Sequence, residues 1–187
     1  LTLDKSLIRF NNLDIQKQII DLQGLDITSL KGSLRIGKFE KKMAKDIAAS
    51  DTIITTKPWK IRLNQTSLKK IAFRFDDQNA APTDKGIDFK HLDIRNFNLD
   101  GEQFLYTGDL ISGNIYAFTV MEKSGLNVQS LKTQFYYGKK SAHLKKLYLK
   151  TPQTLLRDEL IVGYPSIESL SKNIGELDVN ASLKNSQ

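Results

Sequence analysis

The chain has 187 residues, 40% of them hydrophobic and 26% charged, with no cysteine, two histidines and a formal net charge of +7. Disulfides and thiolate metal sites are excluded, and no apolar run approaches the roughly 20 residues that a helical membrane span needs. A basic chain can meet nucleic acid or an anionic membrane surface. Here Lys31, Lys132, Lys145, Lys146 and Lys150 fall mostly on the polar positions of alternating runs, so they read as a solvated face that also blunts sheet edges.

From Leu1 to Phe39 the pattern is nearly continuous strand: Leu1/Leu3, Ile8/Phe10, Leu13/Ile15, then Leu25/Ile27, Leu30 and Leu34/Ile36. Asn11-Asn12 reads as a turn, and the runs predict strands of about four to six residues. The chain enters this alternation directly at Leu1, which reads as a piece of a larger protein. Residues 40–57 break the pattern. Met43 and Ile47 stand four apart among lysines and alanines, which predicts an insertion or one short helix near Glu40–Ala49. Pro58 restarts the alternation with Trp59, Ile61 and Leu63, then Ile71, Phe73 and Phe75. Asp76 to Gly86 is a polar turn in which Asp76, Asp77 and Asp84 are weighed as cation ligands against a plain loop.

From Ile87 apolar pairs recur every five to nine residues: Ile87/Phe89, Leu92/Ile94, Phe97/Leu99, Phe104/Tyr106, Ile111/Ile115, Phe118/Val120 and Leu126/Val128. Asp100-Gly101, Ser112-Gly113 and Ser124-Gly125 read as turns or bulges. Leu144, Leu147 and Leu149 follow. Leu160/Val162/Tyr164 precede a second short helix expected near Ser166–Asn173, and Leu177 to Leu183 is a last strand.

Gly24–Lys38 and Gly125–Lys139 are copies of one another, with seven of fifteen positions identical when aligned without gaps. Ile87–Leu92 keeps a shorter third copy. Internal repetition of this kind points to a stacked array. Each copy alternates with a step between Ile27 and Leu30, or between Val128 and Leu131, where a strand bends or ends. Residues 1–39, 40–57 and 58–187 read as a first repeat unit, an insertion and a second repeat block of one continuous array.

No phosphate loop, nucleophile elbow or metal-spaced histidine pair is present. His91 and His143 read as surface side chains, and Tyr136, Tyr137, Phe104 and Tyr106 as core rather than base-stacking groups. The residues predict neither an enzyme nor a nucleic-acid binder, and no cofactor.

Leu1–Asn12 and the span from Trp59 to Asp77 are similar to the unit that recurs in AsmA-like proteins. The stretches Glu122–Leu131, Tyr148–Thr154 and Tyr164–Gly175 resemble the TamB-type translocation and assembly module proteins of Bacteroidetes. That resemblance implies an all-β, strongly curved, elongated antiparallel sheet with an apolar groove, the β-taco. It also implies a periplasmic protein anchored in the inner membrane and reaching an Omp85-type outer-membrane partner, tied to phospholipid transport and outer-membrane protein assembly. Alternation supplies the candidate groove residues Ile94, Phe118, Val120, Val128, Phe135 and Leu149, which would meet phospholipid acyl chains. A closed β-solenoid acting as an adhesin or recognition module is the alternative. Either array, cut from its neighbours, is expected to self-associate through the edge strands near Leu1–Phe10 or Leu177–Leu183.

Overall fold

Alternating apolar and polar residues put one greasy side on each strand, and the strands pair in the order in which they occur. A computed structural model describes residues 1–38, 58–83, 86–166 and 177–182. Nine strands form one sheet in the order β1 to β9: β1 (Thr2–Asp14), β2 (Ile19–Ile36), β3 (Lys60–Asp77), β4 (Asp93–Tyr106), β5 (Ile111–Glu122), β6 (Asn127–Tyr137), β7 (Ser141–Lys150), β8 (Leu155–Gly163) and β9 (Asp178–Ser182). The chain is all-β as expected, with no helix among the described residues. The sheet does not close into a barrel, consistent with an elongated curved sheet. Among the described residues no second layer of strands covers it: each strand makes backbone contact only with its neighbours in the sheet. The two expected helices lie outside the described residues, apart from Ser166, which is not helical.

One pairing departs from the antiparallel expectation. β2 and β3 run parallel, Ile19 beside Lys60 through Ile36 beside Asp77. A parallel pair needs a connection that carries the chain back to the same end of the sheet. The segment between Ile36 and Lys60 does this, and residues 39–57 within it lie outside the described set.

The strands are also longer than expected, because neighbouring short runs are fused. β2 and β3 each span 18 residues and β4 spans 14. Fusion works through a recurring three-residue step between apolar side chains on the same face: Ile27 to Leu30, Leu68 to Ile71, Ile94 to Phe97, Gly101 to Phe104 and Leu144 to Leu147. Simple alternation would put the second member of each on the wrong face. In every case the residue just before it has a left-handed backbone: Ser29 at φ 55°, Lys70 at 55°, Asn96 at 49°, Gln103 at 55° and Lys146 at 50°. Such a bulge adds a residue, rotates the strand and restores the apolar face. Each bulge also bends the strand, and the kinks at Ser29 and Lys70 lie side by side, since Thr28 pairs with Lys69 and Lys31 with Ala72.

This geometry corrects several readings. The step in the repeated segment does not end a strand: β2 runs through the left-handed Ser29, and β6 runs through Ser130. Asn11-Asn12 lies inside β1 and is not a turn. Asp100-Gly101 and Ser112-Gly113, read as turns or bulges, lie inside β4 and β5, and the register shifts between Asp100 and Gly101 as a bulge does. The third copy, Ile87–Leu92, is a turn. Asp88 there accepts the N–H groups of Lys90 and His91 at 3.1 and 3.2 Å, and local capping of this kind competes with extension.

Candidate functional site

Residues paired directly across neighbouring strands share a face, so the register draws rows across the sheet. One row crosses all nine strands near one rim: Leu13, Ile20, Ile61, Tyr106, Ile111, Tyr137, Ala142, Val162 and Val179. A second, on the same face, crosses seven: Ile27, Leu68, Leu99, Phe118, Leu131, Leu149 and Leu156. At the spacing of about 4.8 Å between strands, nine strands extend the track to about 40 Å. This exceeds the roughly 30 Å hydrocarbon thickness of a bilayer.

Between the rows Phe104 lies over two glycines. A Cβ on Gly113 would stand 2.6 Å from Phe104 Cδ1, and one on Gly101 would stand 2.7 Å from Phe104 Cζ and 2.5 Å from the Asn114 carbonyl oxygen. Phe104 also meets Phe135, with ring centroids 6.0 Å apart, while Phe97 and Phe118 meet edge to face at 5.3 Å.

Most large side chains on this face remain partly accessible. Among the described residues only Val120, Val128, Leu147 and Tyr164 are buried hydrophobics. The six candidate groove residues all occupy the apolar face, in different settings. Phe118 and Leu149 belong to the seven-residue row on either side of Leu131. Phe135 stands between Gly113 and Leu144. Ile94 sits opposite Phe73 and Glu122, close to the far rim. Val120 and Val128 face each other and are only 8% exposed, so they pack the sheet more than they line an open track. The sequence reads Leu99, Leu131, Tyr106, Ile111 and Tyr137 as strand or core positions but not as groove residues. The three-residue step before Phe97, Phe104 and Leu147 was the available signal.

The opposite face is polar. Arg9 binds Asp26 at 2.9 Å and Arg62 reaches Asp21 at 3.4 Å. Lys31, Lys132, Lys145, Lys146 and Lys150 are exposed. Tyr148 carries the Arg157 guanidinium over its ring at 5.5 Å. Tyr116 hydrogen-bonds the Glu102 carboxylate, which pushes its phenol pKa up.

The two rims differ. At one, Tyr164 donates its hydroxyl to the Gly138 carbonyl at 2.6 Å and its N–H to the Lys140 carbonyl at 2.9 Å, closing the row beside Tyr137. Burial pushes the Tyr164 phenol up. The other rim is a carboxylate network. The Arg95 and Arg74 guanidinium groups hold Asp93 well below the usual carboxylate range. Burial raises Glu122, but donors from Ser124, Asp93 and Lys123 outweigh it and its pKa is lowered. Asp88 is likewise lowered against its burial by the N–H groups of Thr83 and Lys90 and by His91.

His91 is therefore not a surface side chain. It is 12% exposed, with Nδ1 2.9 Å from Asp88 and Nε2 3.8 Å from Asp76. Asp76 also meets Arg35, and Asp77 takes Lys90 and Asn79, so protein donors occupy two of the three carboxylates weighed as cation ligands. Asp84 lies outside the described residues. Among those described, no three His, Cys, Asp or Glu side chains converge as a metal site.

Comparison of the chain with protein families, with curated proteins and with solved structures finds no significant match.

Proposed function

We propose that the chain is a segment of an envelope-spanning protein of the AsmA-like, TamB type. In this reading its apolar face guides phospholipid acyl chains across the periplasm and supports outer-membrane biogenesis, including protein translocation and assembly through an Omp85-type partner. One observation carries the reading: an apolar track runs in register across nine strands, and among the described residues no layer of strands packs on it. An acyl chain laid along such a track transfers each methylene from water for about 0.8 kcal/mol, without a specific polar contact. Many weak, equivalent contacts hold a tail while leaving it free to slide. A closed adhesin-type solenoid would place successive strands in different sheets, whereas here they are neighbours in one.

Native mass spectrometry of the purified chain, after incubation with phosphatidylethanolamine vesicles, tests this. Retained phospholipid adducts that survive gentle activation are expected. A lipid-free mass at every vesicle concentration overturns the reading.

A further inference from the structure

The polar face carries clefts of its own in the middle of the sheet. Asn114 on β5 pairs with Gln134 on β6, and Lys145 on β7 lies beside Gln134. A cleft of about 570 Å³ opens on one side of this amide pair and one of about 380 Å³ on the other, and Asn114 and Gln134 line both. Tyr136 lines the first and Tyr116 the second. β5 and β6 run antiparallel, so two residues on from each amide lead in opposite directions. The tyrosines therefore flank the pair, about 13 Å apart at a rise of about 3.3 Å per residue. Both rings are open: Tyr136, expected in the core, is 44% exposed and Tyr116 53%. The Tyr136 ring turns along its own strand over Gly138, where a Cβ would stand 2.7 Å from its hydroxyl, and meets His143 edge to face at 5.5 Å.

The lining is amide, hydroxyl and ammonium. Asn114 Nδ2 donates to Gln103 Oε1 at 3.0 Å, whereas the side-chain amide of Gln134 makes no hydrogen bond among the described residues. Lys145 borders the first cleft and Lys132 and Lys146 the second, and among the described residues no carboxylate lines either. Glu102 and Glu159, on the strands outside, are taken by the Tyr116 hydroxyl and by Lys145 at 3.8 Å.

This chemistry selects a ligand. An amide offers a donor and an acceptor side by side, which matches a sugar hydroxyl that is both. A phosphodiester only accepts, so the amide oxygens would face it without a donor. The electron-rich face of a tyrosine takes the C–H face of a sugar ring and disfavours an acidic peptide side chain. Three lysines without a carboxylate among them call for negative charge on the ligand.

We propose that the paired clefts on the polar face of β5–β7 bind a short acidic oligosaccharide. Its rings lie across Tyr116 and Tyr136, its hydroxyls on Asn114 and Gln134, and its carboxylates toward Lys132, Lys145 and Lys146. The site lies on the face opposite the apolar track and does not depend on what that track carries.

A ¹⁵N NMR titration of the whole chain with tetragalacturonic acid tests it. The side-chain amide signals of Asn114 and Gln134 are expected to move together, in the parent chain and without any variant. Maltotetraose, with as many rings and no carboxylate, is expected to bind more weakly. Gln134→Ala is expected to weaken tetragalacturonate binding about tenfold, since it removes a donor and an acceptor at once. Lys31→Ala, on the same face at β2, leaves it unchanged. No shift at any concentration overturns the proposal, as do shifts that spare Asn114 and Gln134. Maltotetraose binding as tightly, or a thymidine tetranucleotide or tetraglutamate binding more tightly, overturns it too. So does full affinity in Gln134→Ala.

Discussion

The side-chain oxygen of Asn98 accepts the backbone N–H of Lys70 at 2.9 Å. Lys70 sits in the left-handed kink of β3, where the extra residue takes its N–H out of the regular ladder. Asn98 turns its amide nitrogen the other way, to the carbonyl of Asn96 at 2.9 Å and to Thr119 Oγ1 at 2.8 Å. One side chain thus ties the kink of β3 to that of β4.

Asn98→Ala is expected to cost about 1–2 kcal/mol in urea unfolding, because it strands a kink donor as well as losing the bonds. Asn98→Asp keeps the acceptor for Lys70 and is expected to lose less. Equal losses in the two variants would mean that the Lys70 bond contributes nothing.

The kinks explain how far the sequence could be read. Alternation is a local signal, so Ile61/Leu63 and Phe118/Val120 were legible as strand pairs facing one way. A three-residue step is ambiguous, because it fits a turn between two strands as well as a bulge within one. The bulge residues are Ser29, Lys70, Asn96, Gln103 and Lys146, and glycine, the usual marker of a left-handed backbone, is not among them. Hence Leu25–Ile27 and Leu30–Ile36 read as separate short strands. The polar rim was hidden for another reason. Asp93 meets Glu122 only when β4 and β5 pair, and the Asp88–His91 turn reaches Asp76 only when β3 lies beside it; no spacing in the chain announces either. The parallel join of β2 to β3 depends equally on pairing across 41 positions.

Lys146→Gly tests the cost of the left-handed bulge. A non-glycine residue there carries roughly 1 kcal/mol of backbone strain, offset in part by the extra chain entropy of glycine. The expected result is unchanged stability or a gain of up to about 1 kcal/mol. Lys146→Val, β-branched at φ 50°, is expected to lose about 1–2 kcal/mol. If valine is tolerated as well as glycine, the bulge is not fixed by its backbone.

Gly113→Ala is expected to destabilise by about 1–3 kcal/mol, since its methyl group enters the space of the Phe104 ring. Phe104→Leu in the same chain frees that space and is expected to recover part of the loss. The coupling, read from a double-mutant cycle, vanishes if the ring does not cover Gly113 in solution.

The carboxylate rim gives the molecule an acid-sensitive end. Asp93, Asp88, Asp77 and Glu122 all have folded pKa values lowered from their usual ones. For a lowered carboxylate the stabilisation is fully present above the unfolded value, about 3.9 for Asp and 4.3 for Glu, and is lost as pH falls through the folded value. Asp93→Asn is therefore expected to be less stable than the parent chain at pH 7. The two urea midpoints should approach one another as pH drops below about 4. A gap that stays constant from pH 7 to pH 2.5 would assign the loss to packing.

Ile111→Glu tests the open face most directly. Ile111 lies between Tyr106 and Tyr137 in the nine-strand row and is 42% exposed, so a carboxylate there keeps its water. The expected stability change is within about 1 kcal/mol. Val128→Glu, by contrast, puts a carboxylate in a site only 8% exposed and is expected to cost several kcal/mol or to unfold the chain. A sliding acyl tail meets the Ile111→Glu charge as a desolvation barrier, so phospholipid retention in native mass spectrometry is expected to fall well below the parent level. Lys132→Glu, on the polar face, is the control. It lowers the net charge from +7 to +5, whereas Ile111→Glu lowers it only to +6. If the basic surface drew the headgroup, Lys132→Glu would do the greater damage; if the apolar track holds the tail, Ile111→Glu does. Retention unchanged in Ile111→Glu, or lost more in Lys132→Glu, removes the acyl track as the binding element.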